Sequence, residues 1–412
     1  MKKRTNNAVG FKQSPLGMIP NDWEVKRLEE IGSFSKGYGV PKNKIISEGY
    51  PCLTYGDIYT KYEYLIKNIH SYIDKKTASE SKPINRGDIL FAGSGETPED
   101  IGKCATYLGN ETIYAGGDII VLTPTKDYNS FVLSYILNSD IGGKQRYKYA
   151  QGHSVVHIYP DTLKKIQIPI PPLPEQQKIA EILSTWDKAI ELQTTLIEKL
   201  ALRKRGLMQQ LLTGKKRLKG FSEPWSFIKA GEIFRSSSTR GTGQEELLSA
   251  TQENGVMPRK MLEGRVTMPS GTTNSFKLVE KGDFVISLRS FQGGIEHSEY
   301  NGVVSPAYIV LKPKKNINKD FYKYYFKSAN FIGHLSIAVI GIRDGRQISY
   351  DDFCFVKIPF PCFEEQQTIA EILYATDKEI EKEKQKLEAL KQQKKGLMQQ
   401  LLTGKKRVII IK

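Results

Sequence analysis

Residues 174–217 read PEQQKIAEILSTWDKAIELQTTLIEKLALRKRGLMQQLLTGKKR, and residues 364–407 read EEQQTIAEILYATDKEIEKEKQKLEALKQQKKGLMQQLLTGKKR. Aligned without a gap from Ile168 and Ile358, the copies agree at about 30 of roughly 50 positions, and the closing GLMQQLLTGKKR is the same in both. Agreement of that order marks an internal repeat. Apolar residues recur in steps of mostly three, four or seven: Ile179, Leu183, Trp186, Ile190, Ile197, Leu200, Leu207 and Leu211 in the first copy. In the second they are Ile369, Leu373, Ile380, Leu387, Leu390, Leu397 and Leu401. This is the spacing of a coiled-coil seam. Each stretch therefore predicts one helix of about 38 residues, ~57 Å long at 1.5 Å per residue, with a partner helix along its seam.

Working outward, the segments between and before the helices repeat in order but not in detail. Trp23 and Ile31 are echoed by Trp225 and Ile233, NRGDILFAGS by EKGDFVISLRS, and GGDIIVLTP by SPAYIVLKP. The helical pattern NSFVLSYILNS is echoed by DFYKYYFKSANF, and IYPDTLKKIQIPIPPLP by ISYDDFCFVKIPFPCFE. Short strand-like runs punctuated by Gly, Pro and Asp, mixed with short helices, predict an α+β class. The domains expected are 1–173, a helical spacer 174–217, a second globular domain 218–362, and a second spacer 363–412. The first spacer runs into GFSEPW, whereas the matching lead-in SPLGMIPNDW stands at the N-terminus, so the chain is cyclic in design and its ends are expected close together.

A chain of 412 residues is long enough for two or more domains, each with its own core. The formal charge is +16, and the helical repeats hold no more than about half of that excess. A basic protein of this kind most often meets a polyanion, nucleic acid ahead of membrane. No apolar run approaches the ~18 residues of a spanning helix, and the N-terminus lacks the apolar centre of a signal peptide. The cysteines Cys52, Cys104, Cys354 and Cys362 have no C-x-x-C spacing; reduced thiols and a cytoplasmic location are expected.

Catalytic constellations fail on their own chemistry. Phe91-Ala-Gly-Ser-Gly95 imitates an adenosylmethionine loop but has no base-holding partner motif, and GSGETPEDIGK lacks the G-K-[ST] of an ATP loop. His153 and His157 have the spacing of a metal pair without a third ligand, so no metal is expected. Pro98-Glu99-Asp100 with Lys103 echoes a nuclease site without supporting carboxylates. Basic residues interleaved with amides and aromatics, in polar loops flanked by Gly that can approach DNA closely, suit DNA better. In the first domain these are Lys144, Arg146 and Lys148, with Gln151, His153 and Ser154 reaching base edges; in the second they are Arg289, Ser290, Gln292, Arg343 and Arg346. Arg suits guanine, Gln suits adenine, and Lys positions on phosphate. The GKKR after each helix suits either phosphate or the helix C-terminus.

With these residues in view, the chain resembles the specificity (S) subunit of type I restriction–modification enzymes from end to end. IPIPPLPEQQKIAEIL, IPFPCFEEQQTIAEIL and the paired LMQQLLTGKKR endings carry the resemblance. It implies two target recognition domains, each reading half of a split, asymmetric double-stranded DNA site. It also implies two long helices packed as an antiparallel coiled coil in a pseudo-twofold tandem repeat. Two methyltransferase (M) subunits and restriction (R) subunits are the implied partners. The chain itself would carry no cofactor and no catalysis, with adenosylmethionine and ATP on the partner subunits. The alternative is a coiled-coil adaptor that binds proteins but not specific DNA.

Overall fold

The computed structural model describes residues 10–152, 154–262, 273–288, 290–339 and 348–409. The repeated stretches are helices of 39 residues each, Leu173–Leu211 and Phe363–Leu401. The chain divides into two compact units, residues 1–192 with 387–412, and residues 193–386. Each unit thus holds one globular domain, one half of the first long helix and one half of the second.

In the first unit a five-stranded sheet runs in the order Gly32–Lys36, Ile119–Pro124, Ile89–Ala92, Cys104–Tyr107, Leu65–Ile66. All pairings are antiparallel except the last. The strand Ile89–Ala92 is apolar at every position because it is covered on both faces. Side chains alternate across a strand, so Ile89 and Phe91 enter the core that faces the helices. Leu90 and Ala92 enter a second core on the other side. The neighbouring strand divides its residues the same way: Ile120 and Leu122 on one side, Ile119 and Val121 on the other.

The second unit repeats the order with one strand fewer: Phe234–Ser237, Ile309–Pro313, Phe284–Ile286, Glu296–His297. Phe284 and Leu311 face the core that includes the long helices, and Val285 and Val310 face a smaller one. The helix expected over NSFVLSYILNS is Ser130–Asn138, with the Asn129 side chain accepting from the Phe131 and Val132 amides at its start. Its counterpart is two helices, Lys319–Tyr325 and Ala329–Val339.

Within each unit the halves of the long helices run antiparallel. Ile179 and Leu183 share a core with Met398, Leu401 and Leu402, and Asp187 meets Lys394. In the second unit Gln193 donates to the Glu383 carboxylate at 2.7 Å, Arg203 pairs with Glu379, and Leu211 and Leu212 share a core with Ile369 and Leu373. The seam is buried at those leucine- and isoleucine-rich ends and at Leu200. Trp186, Ile190, Ile197, Leu207, Ile380, Leu387, Leu390 and Leu397 are only half-buried.

The conserved signature at the helix entry owes its conservation between copies to three fittings. Glu175 is 1% exposed and accepts from the Trp23 indole N–H at 2.9 Å and from both the Nε and Nη2 of Arg407 at 2.7 Å. Glu365 repeats this with Trp225 at 2.8 Å and Arg217 at 2.9 Å. Gln176 accepts from the Asn129 amide at 2.8 Å and donates to the Pro171 carbonyl at 2.8 Å; Gln366 does so with Asn318 at 2.9 Å and Pro361 at 2.8 Å. Finally, the hydroxyl of Tyr135 donates to Asp187, and that of Tyr324 to Asp377, each carboxylate also facing a lysine of the opposite helix, Lys394 or Lys204.

These fittings bind the globular domain to both helices. They also join the ends of the chain, for Arg407 pairs with Asp22 at 2.7 Å as well, whereas Arg217 lies over the ring of Trp225, only a short step downstream, at 5.7 Å. The arginine of each GKKR is therefore occupied by a latch, while Lys215, Lys216, Lys405 and Lys406 are exposed. Gly404 must be glycine here. Its φ is +69°, and a Cβ would lie 2.3 Å from Pro20 Cγ.

Candidate nucleic-acid interface

In the first domain two segments far apart in sequence meet just beyond the end of the sheet's central strand, Ile89–Ala92. The chain leaves Ile89–Ala92, passes Gly93 and forms Ser94–Gly95, which pairs antiparallel with Val156–His157 in the register Ser94 to His157. The Ile158 amide donates to the Gly93 carbonyl at 2.9 Å, and Gln151 and His157 exchange backbone bonds at 3.0 and 2.7 Å. This two-stranded ribbon carries the exposed Glu96, Thr97, Gln151, Ser154 and Val155, with half-exposed Tyr159 beside it. Ser94 itself is buried, and its hydroxyl lies 2.9 Å from His157 Nδ1. The His157 ring stacks against Tyr159 at 6.3 Å.

Behind the ribbon lies a helix where a loop was expected. GGKQRYK falls within Asp140–Lys148. The glycine that suggested a loop is there for close packing, because a Cβ on Gly142 would lie 2.1 Å from the Leu137 carbonyl oxygen. Lys144 and Lys148 point to solvent. Arg146 does not; it is 5% exposed, donating from Nε to the Ile101 carbonyl at 3.0 Å and from Nη1 to the Leu137 carbonyl. Burial lowers its pKa from the ordinary value. Its expected role on DNA is corrected accordingly, because every contact of the guanidinium lies inside the domain, where it bolts the helix to the turn beneath the ribbon. His153 lies outside the described residues.

The corresponding segments of the second domain are 288–292, after Phe284–Ile286, and 340–347, before Ile348. Of the residues expected there, Arg289, Arg343 and Arg346 lie outside the described residues. Gln292 is exposed. Ser290 is 1% exposed and its hydroxyl accepts from the Ser287 amide at 2.8 Å, so it is corrected from a base contact to a buried tie between the preceding turn and the start of the short helix Ser290–Gly293. Beside it the hairpin of Leu248–Thr251 with Gly255–Pro258 turns through the exposed Gln252, Glu253 and Asn254. Together with Leu288 and Tyr308 they line an open groove.

Sequence reading missed this hairpin and, in the first domain, the 94–97 segment. The second was legible, because FAGSGET aligns with ISLRSFQ, where contacts were expected. Among the described residues, His297, Glu299 and Asp320 bring ligand-type atoms within 4.8 Å of one another, but Lys323 pairs with Glu299 at 2.6 Å and already supplies a cation. No helix among the described residues is long and apolar enough to cross a membrane.

The pattern of the type I restriction modification DNA specificity domain matches residues 20–202 and again 216–392. The putative type I restriction enzyme MjaX specificity subunit of Methanocaldococcus jannaschii is 29% identical, with 97% of each chain covered. The EcoKI specificity subunit of Escherichia coli K12 is 24% identical over 69% of this chain and 63% of its own. In fold, the chain is similar to the S subunit of a type I restriction–modification system from M. genitalium, with a TM-score of 0.55, 17% identity and 99% of each chain covered. It is likewise similar to a chain from a study of complex assembly and conformational transition of the type I R-M system, with a TM-score of 0.61, 18% identity, and 94% and 99% covered.

Proposed function

Since the chain belongs to the type I restriction modification DNA specificity domain family, carrying that domain twice, we propose that it is the DNA-recognition subunit of a type I complex. Each globular domain reads one half of a bipartite, asymmetric site in double-stranded DNA, and the long helices fix the gap between the halves. The chain is a non-catalytic subunit. Methyltransferase and restriction subunits supply the chemistry, with adenosylmethionine and ATP bound there. Flipping an adenine for methylation requires the duplex to be held in register, which is the geometric work this chain performs.

One observation carries this reading. The two copies keep the fittings that hold domain to helix (Trp–Glu–Arg, Gln–Asn, Tyr–Asp–Lys) and diverge in the segments that follow the central strand and precede Ile158 or Ile348. A common scaffold with unlike surfaces fits one kind of partner on the helices and two different half-sites on the domains. Exposed Lys144 and Lys148 supply phosphate contacts, and Gln151 and Ser154 reach base edges. In the second domain Gln292, Gln252 and Asn254 take that role alongside Arg289, Arg343 and Arg346. The test is methylome sequencing of cells that express this chain with its methyltransferase subunit. A split, non-palindromic motif with a fixed gap is expected; a palindromic motif, or none, would contradict the reading.

A further inference from the structure

The Ser94–His157 pair is not used by anything described so far. Ser94 is 3% exposed, and among the described residues its side chain has one hydrogen-bond partner, His157 Nδ1, at 2.9 Å. A buried hydroxyl needs an acceptor for its proton, since burial has stripped away the water that would otherwise take it. Were Nδ1 protonated, the hydroxyl would accept and its own proton would be stranded. The hydroxyl therefore donates to Nδ1, and the neutral ring carries its proton on Nε2.

The register sets this ring on a two-stranded ribbon, with its backbone tied to Gln151 on one side and Ser94 on the other, and its face against Tyr159. Among the described residues Nε2–H has no partner, and the ring is part-exposed among the exposed residues Gln151, Ser154, Val155 and Tyr159. A ribbon of two strands fits the major groove, where each base pair offers a distinct set of acceptors.

The two copies also part company at this pair. With the gap-free offset that aligns Ile158 with Ile348, His157 corresponds to Gln347; with the offset five residues longer that aligns Asp88 with Asp283, Ser94 corresponds to Arg289. The strand residues before Ser94 keep their character: Asp88 matches Asp283, and Ile89 matches Phe284.

We propose that His157 is a specificity-determining residue of the first domain, donating from Nε2–H to a major-groove acceptor of one base pair, and that Ser94 is a positioning residue that holds this tautomer. This rests on the first domain reading a DNA half-site. A single well-placed donor is worth about 1 kcal/mol, hence several-fold discrimination at one pair.

The experiment uses the full chain in complex with its methyltransferase subunits, on duplexes in which each base pair of the methylated site is varied in turn. His157→Ala and Ser94→Ala are each expected to lower discrimination about five- to tenfold at one and the same pair of the first half-site. The second half-site and the salt dependence should be unchanged. Ser94→Thr, which keeps the hydroxyl, should restore the discrimination. Loss at all positions alike, no loss at any, or losses at different pairs in the two variants would overturn the proposal. Discrimination in the second half-site reports whether each variant has folded. Wild-type complex indifferent to every substitution in the first half-site would instead sink the recognition reading on which the proposal depends.

Discussion

Replacing Arg407 with methionine removes one guanidinium and leaves its alkyl volume. The guanidinium holds Glu175 through two bonds of 2.7 Å and Asp22 through bonds of 2.9 and 2.7 Å. Glu175 is 1% exposed, so the variant leaves a buried carboxylate with the Trp23 indole as its remaining donor. Breaking a buried pair by removing one partner costs about 3–5 kcal/mol. Arg407 is itself 24% exposed, so water reaches the vacated side, and the lower end of that range, about 3 kcal/mol, is expected. At 1.4 kcal/mol per decade this is about a hundredfold in the opening equilibrium of the first unit.

The assay is urea unfolding of Arg407→Met, Glu175→Gln and the double variant. Neutralising Glu175 removes the charge that the arginine serves, so the double variant should be more stable than the sum of the single losses implies, with a coupling of about 2 kcal/mol. Acid should act on the same latch. Arg407 holds the Asp22 carboxyl below its ordinary value of 3.8. A lowered folded pKa stabilises above the unfolded value, and that share is lost as pH falls below about 4; Arg407→Met should flatten this acid limb. A loss under about 1 kcal/mol, or single effects that add within ~0.5 kcal/mol, would refute the assignment of the latch.

Two further outcomes follow from burial and charge. Burial pushes the Cys104 thiol up to about 12 and that of Cys52 up to about 11, so neither forms thiolate near neutral pH. Alkylation of the native protein at pH 8, read by mass spectrometry, should label exposed Cys362 first and leave these two untouched until unfolding. Lys144→Gln combined with Lys148→Gln should weaken DNA retention alike for all sequences and reduce the slope of log K against log salt by about 2; an unchanged slope would remove them from the phosphate contacts.

The long helices were legible because seam spacing, length and repetition all point the same way. The strands were legible from short apolar runs closed by Gly-Asp and Pro. Residues 140–148 were misread, because the glycines that usually mark a loop here permit a close helix contact at Leu137. The burial of Arg146 follows from that contact and from carbonyls distant in sequence, which no local pattern reports. The same is true of Glu175 and Glu365. The repeat marked them as retained, but only the fold shows that each takes up a tryptophan and an arginine, and that for Glu175 these come from the two ends of the chain. In the site, exposed lysines and amides were readable from composition. The ribbon that pairs Ser94 with His157 was not, because its two strands are two residues each and the paired residues stand 63 positions apart.

The central claim is that each domain independently reads half of one site. The most direct measurement exchanges residues 218–362 for the matching domain of a specificity subunit with a different target and sequences the resulting methylome. The expected result is a motif with one half replaced, the other half kept, and the gap between them unchanged. A motif unchanged in both halves, or altered in both, would contradict the account.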